Sequence, residues 1–288
     1  MKIFPFFAAL VSLLAFTAAA QVSITISLDQ DQFLPSETIP VTVRVTNRSG
    51  QMIHLGDQPD WLTFSVESAD GFIVSKNAEV PVLGAFNLGS METATKRVDI
   101  QPYFGLSRPG LYRVTATLRI PGWNSEITST QRPFDISSGA KIWSQVFGMP
   151  AASNAPPEVR KYILEKSNYL RSQLRLYAVV TDEAEGRIIK VTPVGPTVSF
   201  SQPQAQLDRL NNLHILYQSG AKSFLYSIVN PNGMLVDQEI YDYADSRPRL
   251  TLDDSGNIIV IGGVKRVLPQ PVVVPDIKSP DELVPPKK

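Results

Sequence analysis

The sequence predicts an all-β protein in which an antiparallel sandwich precedes a domain of repeated β-hairpins. Along the first half, apolar and polar residues alternate in short runs, as they do in strands with one buried face. The 288 residues include 23 prolines, and many apolar runs lie between turn residues, which is typical of β structure. In the second half, one phrase recurs 45 residues later.

The strands of the first half are indicated by alternation with a period of two. The runs are VSITISLD, IPVTVRVTN, LTFSVES and FIVSK, with turns at NRSG and at Asp70-Gly71 between them. Valine, isoleucine or leucine occupies every second position of the first two runs, namely Val22, Ile24, Ile26, Leu28, Val41, Val43 and Val45. Residues 21–137 are therefore predicted to form the sandwich.

Two phrases of this half carry a family resemblance. FLPSETIPVTVRVTNRSG and the later PGLYRVTATL resemble the Ig-like domains of bacterial secreted proteins, although Ser36 stands where glycine is usual. WLTFSVESADGFIV is similar to a bacterial proteinase-inhibitor domain built on the same sandwich. The resemblance implies an Ig-like fold over residues 22–137 and specifies fold better than function.

Residues 138–159 are expected to link the two halves, because small residues, glycine and a Pro-Pro pair dominate them. Four large apolar residues, Ile142, Trp143, Val146 and Phe147, predict that this linker docks on a domain. The next segment, residues 160–170, fits either a helix or a strand. Its tyrosine, isoleucine and valine content favours a strand paired with QLRLYAVVTD.

The repeat covers residues 160–266. Five residue types recur 45 positions later in the sequence. The first set is Ser201, Pro203, Leu207, Asp208 and Asn212, and the second set is Ser246, Pro248, Leu252, Asp253 and Asn257. This period and the Asp–turn–apolar pattern resemble β-propeller blades. Only two complete units and part of a third are present, whereas a closed propeller needs at least four blades. Either the hairpins form an open stack, or the blades complete a ring by self-association through their exposed edges. A small monomeric β domain capped by the linker or the first domain is favoured.

The chain ends give a predicted location. Residues 1–20 combine Lys2, an apolar run and an Ala-Ala-Ala end, which predicts a signal peptide cleaved after Ala20. Residues 267–288 contain six prolines and are predicted to be a flexible tail. The sequence contains no cysteine, which excludes disulfides and thiolate metal sites. We therefore expect a secreted or periplasmic bacterial protein without a transmembrane segment.

Charge and motifs narrow the function classes. The 27 basic and 27 acidic residues are scattered, which argues against nucleic acid and anionic membranes as partners. The sequence lacks His-Glu-x-x-His, Gly-x-Ser-x-Gly and calcium-loop motifs. No cofactor, metal or catalytic residue is therefore predicted, and a non-enzymatic protein is favoured.

Six residues are nevertheless candidates for a binding surface. His54, Asp57, Asp60 and Trp61 are close in sequence, but one histidine and two aspartates in a loop are more typical of turns than of a metal site. Asp208 and His214 belong to the repeat. His214 aligns with Ile259 of the next unit, which favours a structural role on the sheet face opposite its aliphatic neighbours, and Asp208 is expected to bind turn amides.

The leading hypothesis is a binding or structural protein of the cell envelope, with an unknown protein or glycan as its partner. The first alternative is a proteinase inhibitor that acts through sandwich loops 54–61 or 84–96. The second is a carbohydrate-binding or glycan-processing protein, whose hydrolase form needs two carboxylates about 5–10 Å apart.

Overall fold

The structure is a computed structural model that describes residues 22–123, 126–150 and 157–267. The predicted signal peptide, residues 1–20, lies outside the described residues, as does all of the predicted tail after Val267. The predicted all-β class is confirmed, since strands account for every long element. A short 3-10 helix, Gln101–Tyr103, interrupts them.

Three sheets make up the first half. The strands are β1 (Val22–Leu28), β2 (Gln32–Phe33), β3 (Pro40–Asn47), β4 (Ile53–Leu55), β5 (Leu62–Ser68), β6 (Phe86–Leu88), β7 (Thr93–Asp99), β8 (Gly110–Arg119), β9 (Glu126–Thr128) and β10 (Arg132–Ile136). One sheet has the order β1-β3-β7, and the second has the order β2-β10-β8-β5 with β9 beside β8. β4 and β6 form a small third sheet. All pairs are antiparallel except β2 with β10.

The first two sheets share one core, which the predicted alternation produces. Val22, Ile24 and Leu28 of β1 are buried with the valines of β3, and they meet Val66 and Val114 of the second sheet. The polar residues between them point outward, because successive side chains of a strand alternate in direction.

The second half contains two four-stranded meanders and a final hairpin. The strands are β11 (Ala140–Met149), β12 (Glu158–Leu170), β13 (Gln173–Asp182), β14 (Ile188–Pro196), β15 (Gln204–Leu207), β16 (Leu213–Gln218), β17 (Ser223–Val229), β18 (Leu235–Asp242), β19 (Arg249–Leu252), β20 (Ile258–Ile261) and β21 (Val264–Lys265). The first meander is β11-β12-β13-β14. The second is β15-β16-β17-β18, with β21 added beside β18, and β19 pairs with β20 alone.

Strand β11 occupies much of the segment that was expected to be a linker. It pairs with β12 along its whole length, because its apolar residues give it a face to bury. Phe147 stacks on Tyr162 with ring centroids 4.4 Å apart. The strand alternative for residues 160–170 is confirmed, since β12 pairs with β13 as predicted.

The second half is layered. Tyr162 and Leu176 of the first meander pack against Leu213 and Ile215 of the second in one core. The opposite face of the second meander packs its Leu216, Phe224 and Tyr226 against Leu250 and Ile258 of the β19–β20 hairpin. Leu34 of the first half packs on the outer face of the first meander. Among the described residues, no helix has the length and apolar character needed to cross a membrane.

Candidate functional site

Four hairpin turns of the second half share one design. Each begins with a side-chain oxygen that accepts main-chain N–H groups of its own turn, and each has a left-handed residue three positions later. The first residues are Asp182, Asp208, Asn230 and Asp253, and the left-handed residues are Glu185, Asn211, Gly233 and Gly256. The turn role predicted for Asp208 is confirmed by these bonds, and Asp253 has the same role in the next unit.

At the other end of these strands, a cleft of about 950 Å³ opens between the second meander and the final hairpin. We call it the unit cleft. Its first wall consists of Phe200, Ser201, Gln202, Gln204 and Gln218. Its second wall consists of Ser246, Arg247, Pro248, Arg249, Ile261 and Gly262.

The two walls are equivalent parts of the repeat. Ser201 faces the cleft together with Ser246, and Gln204 together with Arg249, each pair separated by 45 positions. The cleft therefore arises where one repeated unit stacks on the next. Paired positions of two units line it, and one wall carries amides where the other carries guanidinium groups.

Polar atoms in the cleft are left free for a ligand. The Gln204 side-chain oxygen Oε1 accepts the Leu250 N–H at 2.7 Å. The side-chain NH2 group of Gln204 has no hydrogen-bond partner among the described residues and remains to donate. The Gln218 amide nitrogen donates to Gly220 O and Ala221 O, so its oxygen remains to accept. Ser201 is 4% exposed, and its hydroxyl has no hydrogen-bond partner among the described residues.

A buried ammonium fixes the first wall from behind. Lys166 of β12 donates to the carbonyl oxygens of Val198, Ser199 and Ser201, with the first two at 3.4 and 3.2 Å. Burial lowers the pKa of Lys166 below its ordinary value. The backbone before β15 is thus held against the first meander, and Phe200 stays at the rim with 77% of its surface exposed.

A smaller depression of about 310 Å³ adjoins the unit cleft. It shares Gln218 and Arg247 with the cleft and adds Lys222 and Tyr243. The guanidinium of Arg247 lies 5.2 Å from the ring centroid of Phe224, a cation–π contact that holds it between the two cavities. We call the unit cleft and this adjoining depression together the groove.

Asp208 and His214, two predicted candidates, lie at the opposite end of the strands and meet a third polar group. His214 Nε2 is 3.3 Å from Asp208 Oδ2, and His214 Nδ1 shares a 2.6 Å hydrogen bond with Tyr226 Oη. His214 is 7% exposed and faces away from Leu213 and Ile215, as predicted from the alternation. Both ring nitrogens have protein partners, and neither His214 nor Asp208 lines the unit cleft.

The surroundings of Asp208 and Tyr226 determine the protonation of both side chains. Burial alone raises the pKa of Asp208, but hydrogen bonds from Asn212, His214 and the Leu210 N–H outweigh it and lower the pKa below the ordinary value of 3.8. Burial, with the charges of Glu239, Asp237 and Asp208, raises the pKa of Tyr226 to about 12. The Tyr226 phenol is therefore neutral and the Asp208 carboxylate is anionic, and the His214 side chain lies between them.

We expect Asp208→Ala to destabilise the protein by about 2 kcal/mol, because the turn loses its acceptor and His214 loses a partner. Asp253→Ala removes the same kind of turn bonds, but Asp253 has no histidine partner among the described residues. This variant should therefore lose less free energy of unfolding. Since the pKa of Asp208 is lowered in the folded state, this contribution is present above pH 3.8 and disappears as the pH falls. Urea unfolding at several pH values measures it; equal losses in the two variants would rule out a contribution from His214.

The other four candidates do not form one site. His54 Nδ1 lies 2.5 Å from Asn87 Oδ1 and His54 Nε2 lies 2.9 Å from Asp57. The Asn87 and Asp57 bonds raise the pKa of His54. Asp60 instead pairs with Arg119 of β8.

Trp61 is a core residue. It is 1% exposed, and its indole N–H donates to Val82 O at 2.8 Å. Its ring meets Phe86 edge to face. No group of three or more potential metal ligands occurs among the described residues.

Gly56 fixes this loop against the chain around Gly84. Its φ is +94°, and a Cβ would lie 2.3 Å from Gly84 O. Gly50 has a similar φ of +81° but open space around it. We expect Gly56→Ala to cost about 2 kcal/mol and Gly50→Ala about 1 kcal/mol. Thermal unfolding of both variants tests this, and a smaller loss for Gly56→Ala would show that the close approach is not a constraint.

A second buried polar cluster joins the two halves. Glu37 is 2% exposed, and its carboxylate accepts the Leu34 N–H at 2.7 Å and the Gln30 amide at 2.8 Å. Arg175 of β13 donates to Gln30 Oε1 at 2.6 Å. Burial raises the pKa of Glu37 to about 7 despite these bonds. Its position in the junction between the halves suits a structural role.

Sequence reasoning missed the cleft residues, above all Gln204, Arg247 and Arg249. The 45-residue alignment contained a usable signal, because it placed Ser201 and Pro203 opposite Ser246 and Pro248. The alignment alone does not show that the two units stack with the Ser201 and Ser246 ends side by side.

Comparisons with known proteins add little. No protein-family model and no curated protein matches the sequence. Among solved structures, the sporulation control protein Spo0M from Bacillus subtilis is similar at 14% identity, over 58% of this chain and 82% of its own, with a TM-score of 0.29. This similarity is too weak to carry an argument about function.

Proposed function

We propose that this is an exported, non-enzymatic binding protein, built from an Ig-like sandwich and a propeller-blade-like module, whose ligand lies in the unit cleft. The observation that carries the proposal is the lining of the cleft by matched positions of two repeated units. Large clefts with a few convergent polar groups are the usual place of ligand binding. Serine, glutamine and arginine side chains hold a ligand by hydrogen bonds.

The lining supports binding more than hydrolysis. Among its described residues are guanidinium, amide and hydroxyl groups, whereas a glycoside hydrolase needs a pair of carboxylates across the bond that it cleaves. The Asp208–His214–Tyr226 chain is at the far end of the strands, and its groups are bound to one another. Recognition is therefore the function that this arrangement supports best.

A variant with a filled cleft tests the proposal. Purified full-length protein is applied to an array of envelope polysaccharides and short peptides, beside Ser246→Trp, which fills the cleft. Ser255→Trp, at an exposed position in the distal turn of the same hairpin, is the matched control. We expect at least one ligand to bind the wild type and the control but not Ser246→Trp. Binding that is equal in all three proteins, or no binding at all, would contradict the proposal.

Export is tested separately. Expression of the full chain in a bacterial host should release a mature protein that begins at Gln21, as N-terminal sequencing of the periplasmic or secreted product would show. A product that retains Met1 and stays inside the cell would contradict it.

A further inference from the structure

The unit cleft and the depression beside it have the chemistry of a site for an acidic oligosaccharide. We propose that the groove binds a glycan with carboxylate-bearing sugar units, held through Arg247 and Arg249. This inference rests on the proposed binding function and names the class of ligand. Three observations carry it: charge, hydrogen-bonding pattern and shape.

The charge of the groove is positive. Arg247 and Arg249 line the cleft and Lys222 lines the depression, and the described lining residues of both cavities include no aspartate or glutamate. Neither arginine has an ion-pair partner among the described residues, in contrast to Arg266, which pairs with Asp242 nearby. Guanidinium groups bind carboxylates with charge-assisted, often bidentate hydrogen bonds.

The neutral polar groups suit sugar hydroxyls. A hydroxyl both donates and accepts, and the groove offers both roles: free N–H groups on Gln204 and a free oxygen on Gln218. A fully ionised anion such as sulfate would use the donors and leave the acceptor unsatisfied.

The shape suits a chain of several sugar units. The two cavities share Gln218 and Arg247 and are therefore neighbours on the surface. Phe200 at one rim and Tyr243 in the depression, 77% and 47% exposed, offer flat apolar surfaces. Aromatic rings present a rigid contact area, on which the C–H face of a sugar ring can pack. Positive side chains line both cavities, with Arg249 in the cleft, Lys222 in the depression and Arg247 in both, which suits a polymer better than a single small anion.

The test uses calorimetry on the full-length protein with uronic-acid oligosaccharides of different linkages, each beside its carboxyl-reduced neutral analogue. We expect at least one uronic-acid ligand to bind, and its reduced analogue to bind about 10-fold or more weakly, as the loss of one charge-assisted contact predicts. Arg247→Gln and Arg249→Gln should each weaken binding by about 10- to 100-fold. Arg209→Gln, an exposed arginine in the distal turn, should leave it unchanged.

Other outcomes overturn the inference in distinguishable ways. If reduced and acidic glycans bind equally, and Ser246→Trp abolishes both, the ligand is a neutral glycan and only the carboxylate class is wrong. If a hexaglutamate peptide or inorganic phosphate binds as tightly as the best glycan, the glycan class is wrong. If nothing on the wider array depends on the cleft, the proposed function fails as well.

Discussion

Raising the pH from 4.5 to about 7 is expected to destabilise the protein through Glu37, and Glu37→Gln is expected to remove this loss. The carboxyl of Glu37 is buried between the two halves, and burial raises its pKa from the ordinary value of 4.5 to about 7. The folded protein therefore holds a proton that the unfolded chain releases at lower pH.

The sign follows from proton linkage. Between pH 4.5 and 7 the folded state binds more protons at Glu37 than the unfolded state does, so the free energy of unfolding falls as the pH rises. The full difference corresponds to about 3 kcal/mol, since one pKa unit is worth about 1.4 kcal/mol. Glutamine resembles the protonated acid, so the difference in stability between Glu37→Gln and wild type should grow with pH over this window and be constant above it.

Urea unfolding of both proteins at intervals from pH 4 to 8 measures the effect. Glu79→Gln is the control, because Glu79 is an exposed carboxylate paired with Lys76 on the surface, and it should reproduce the wild-type slope. A pH-independent difference between Glu37→Gln and wild type would mean that folding leaves the pKa of Glu37 at its ordinary value. In that case the hydrogen bonds from Leu34 and Gln30 and the charge of Arg175 offset the effect of burial.

Lys166→Met should destabilise the protein by about 3 kcal/mol. The substitution keeps the apolar stem but leaves the carbonyls of Val198, Ser199 and Ser201 without the ammonium that now binds them. The Ser201 bond is the buried one of the three, and an unsatisfied buried acceptor is costly. The first wall of the unit cleft depends on the same bonds. Stability and cleft binding should therefore decline together.

Lys190→Met provides the matched comparison, since Lys190 is exposed on β14 of the same meander. It should change the free energy of unfolding little. Hydrogen exchange distinguishes a local from a global effect: Lys166→Met should accelerate exchange in residues 197–204 before it affects β3 or β8. Uniform acceleration over both halves would contradict the assignment of Lys166 to the cleft wall.

The sequence predicted the parts of the fold that depend on local pattern. Alternation located β1 and β3 because one face of each strand is buried, and the Asp–turn phrases located two hairpins because a single side chain satisfies several turn amides. The prediction of a linker over residues 138–159 was wrong in part. Glycine and alanine suggested a connecting segment, but Ile142 and Phe147 supply enough apolar surface for β11 to join a sheet.

What depends on long-range contacts was less accessible. Asp60 pairs with Arg119, 59 positions away, so its proximity to His54 in sequence did not produce a shared site. The unit cleft escaped notice because it needs the stacking of two units, which no local pattern specifies. No local pattern indicated the burial of Glu37, which follows from the docking of the first half on the first meander.

The final β19–β20 hairpin has two structural roles, and a single mutation can affect both. It supplies one wall of the unit cleft, and its Leu250 and Ile258 cover the outer apolar face of the second meander. A chain nicked by a protease between β18 and β19 would uncover Leu216 and Phe224 while losing Arg249 from the groove. Exposed apolar surface of this kind promotes aggregation, so variants that weaken the hairpin should lose solubility along with ligand. Screens for binding mutants in this hairpin therefore need a solubility measurement beside every affinity.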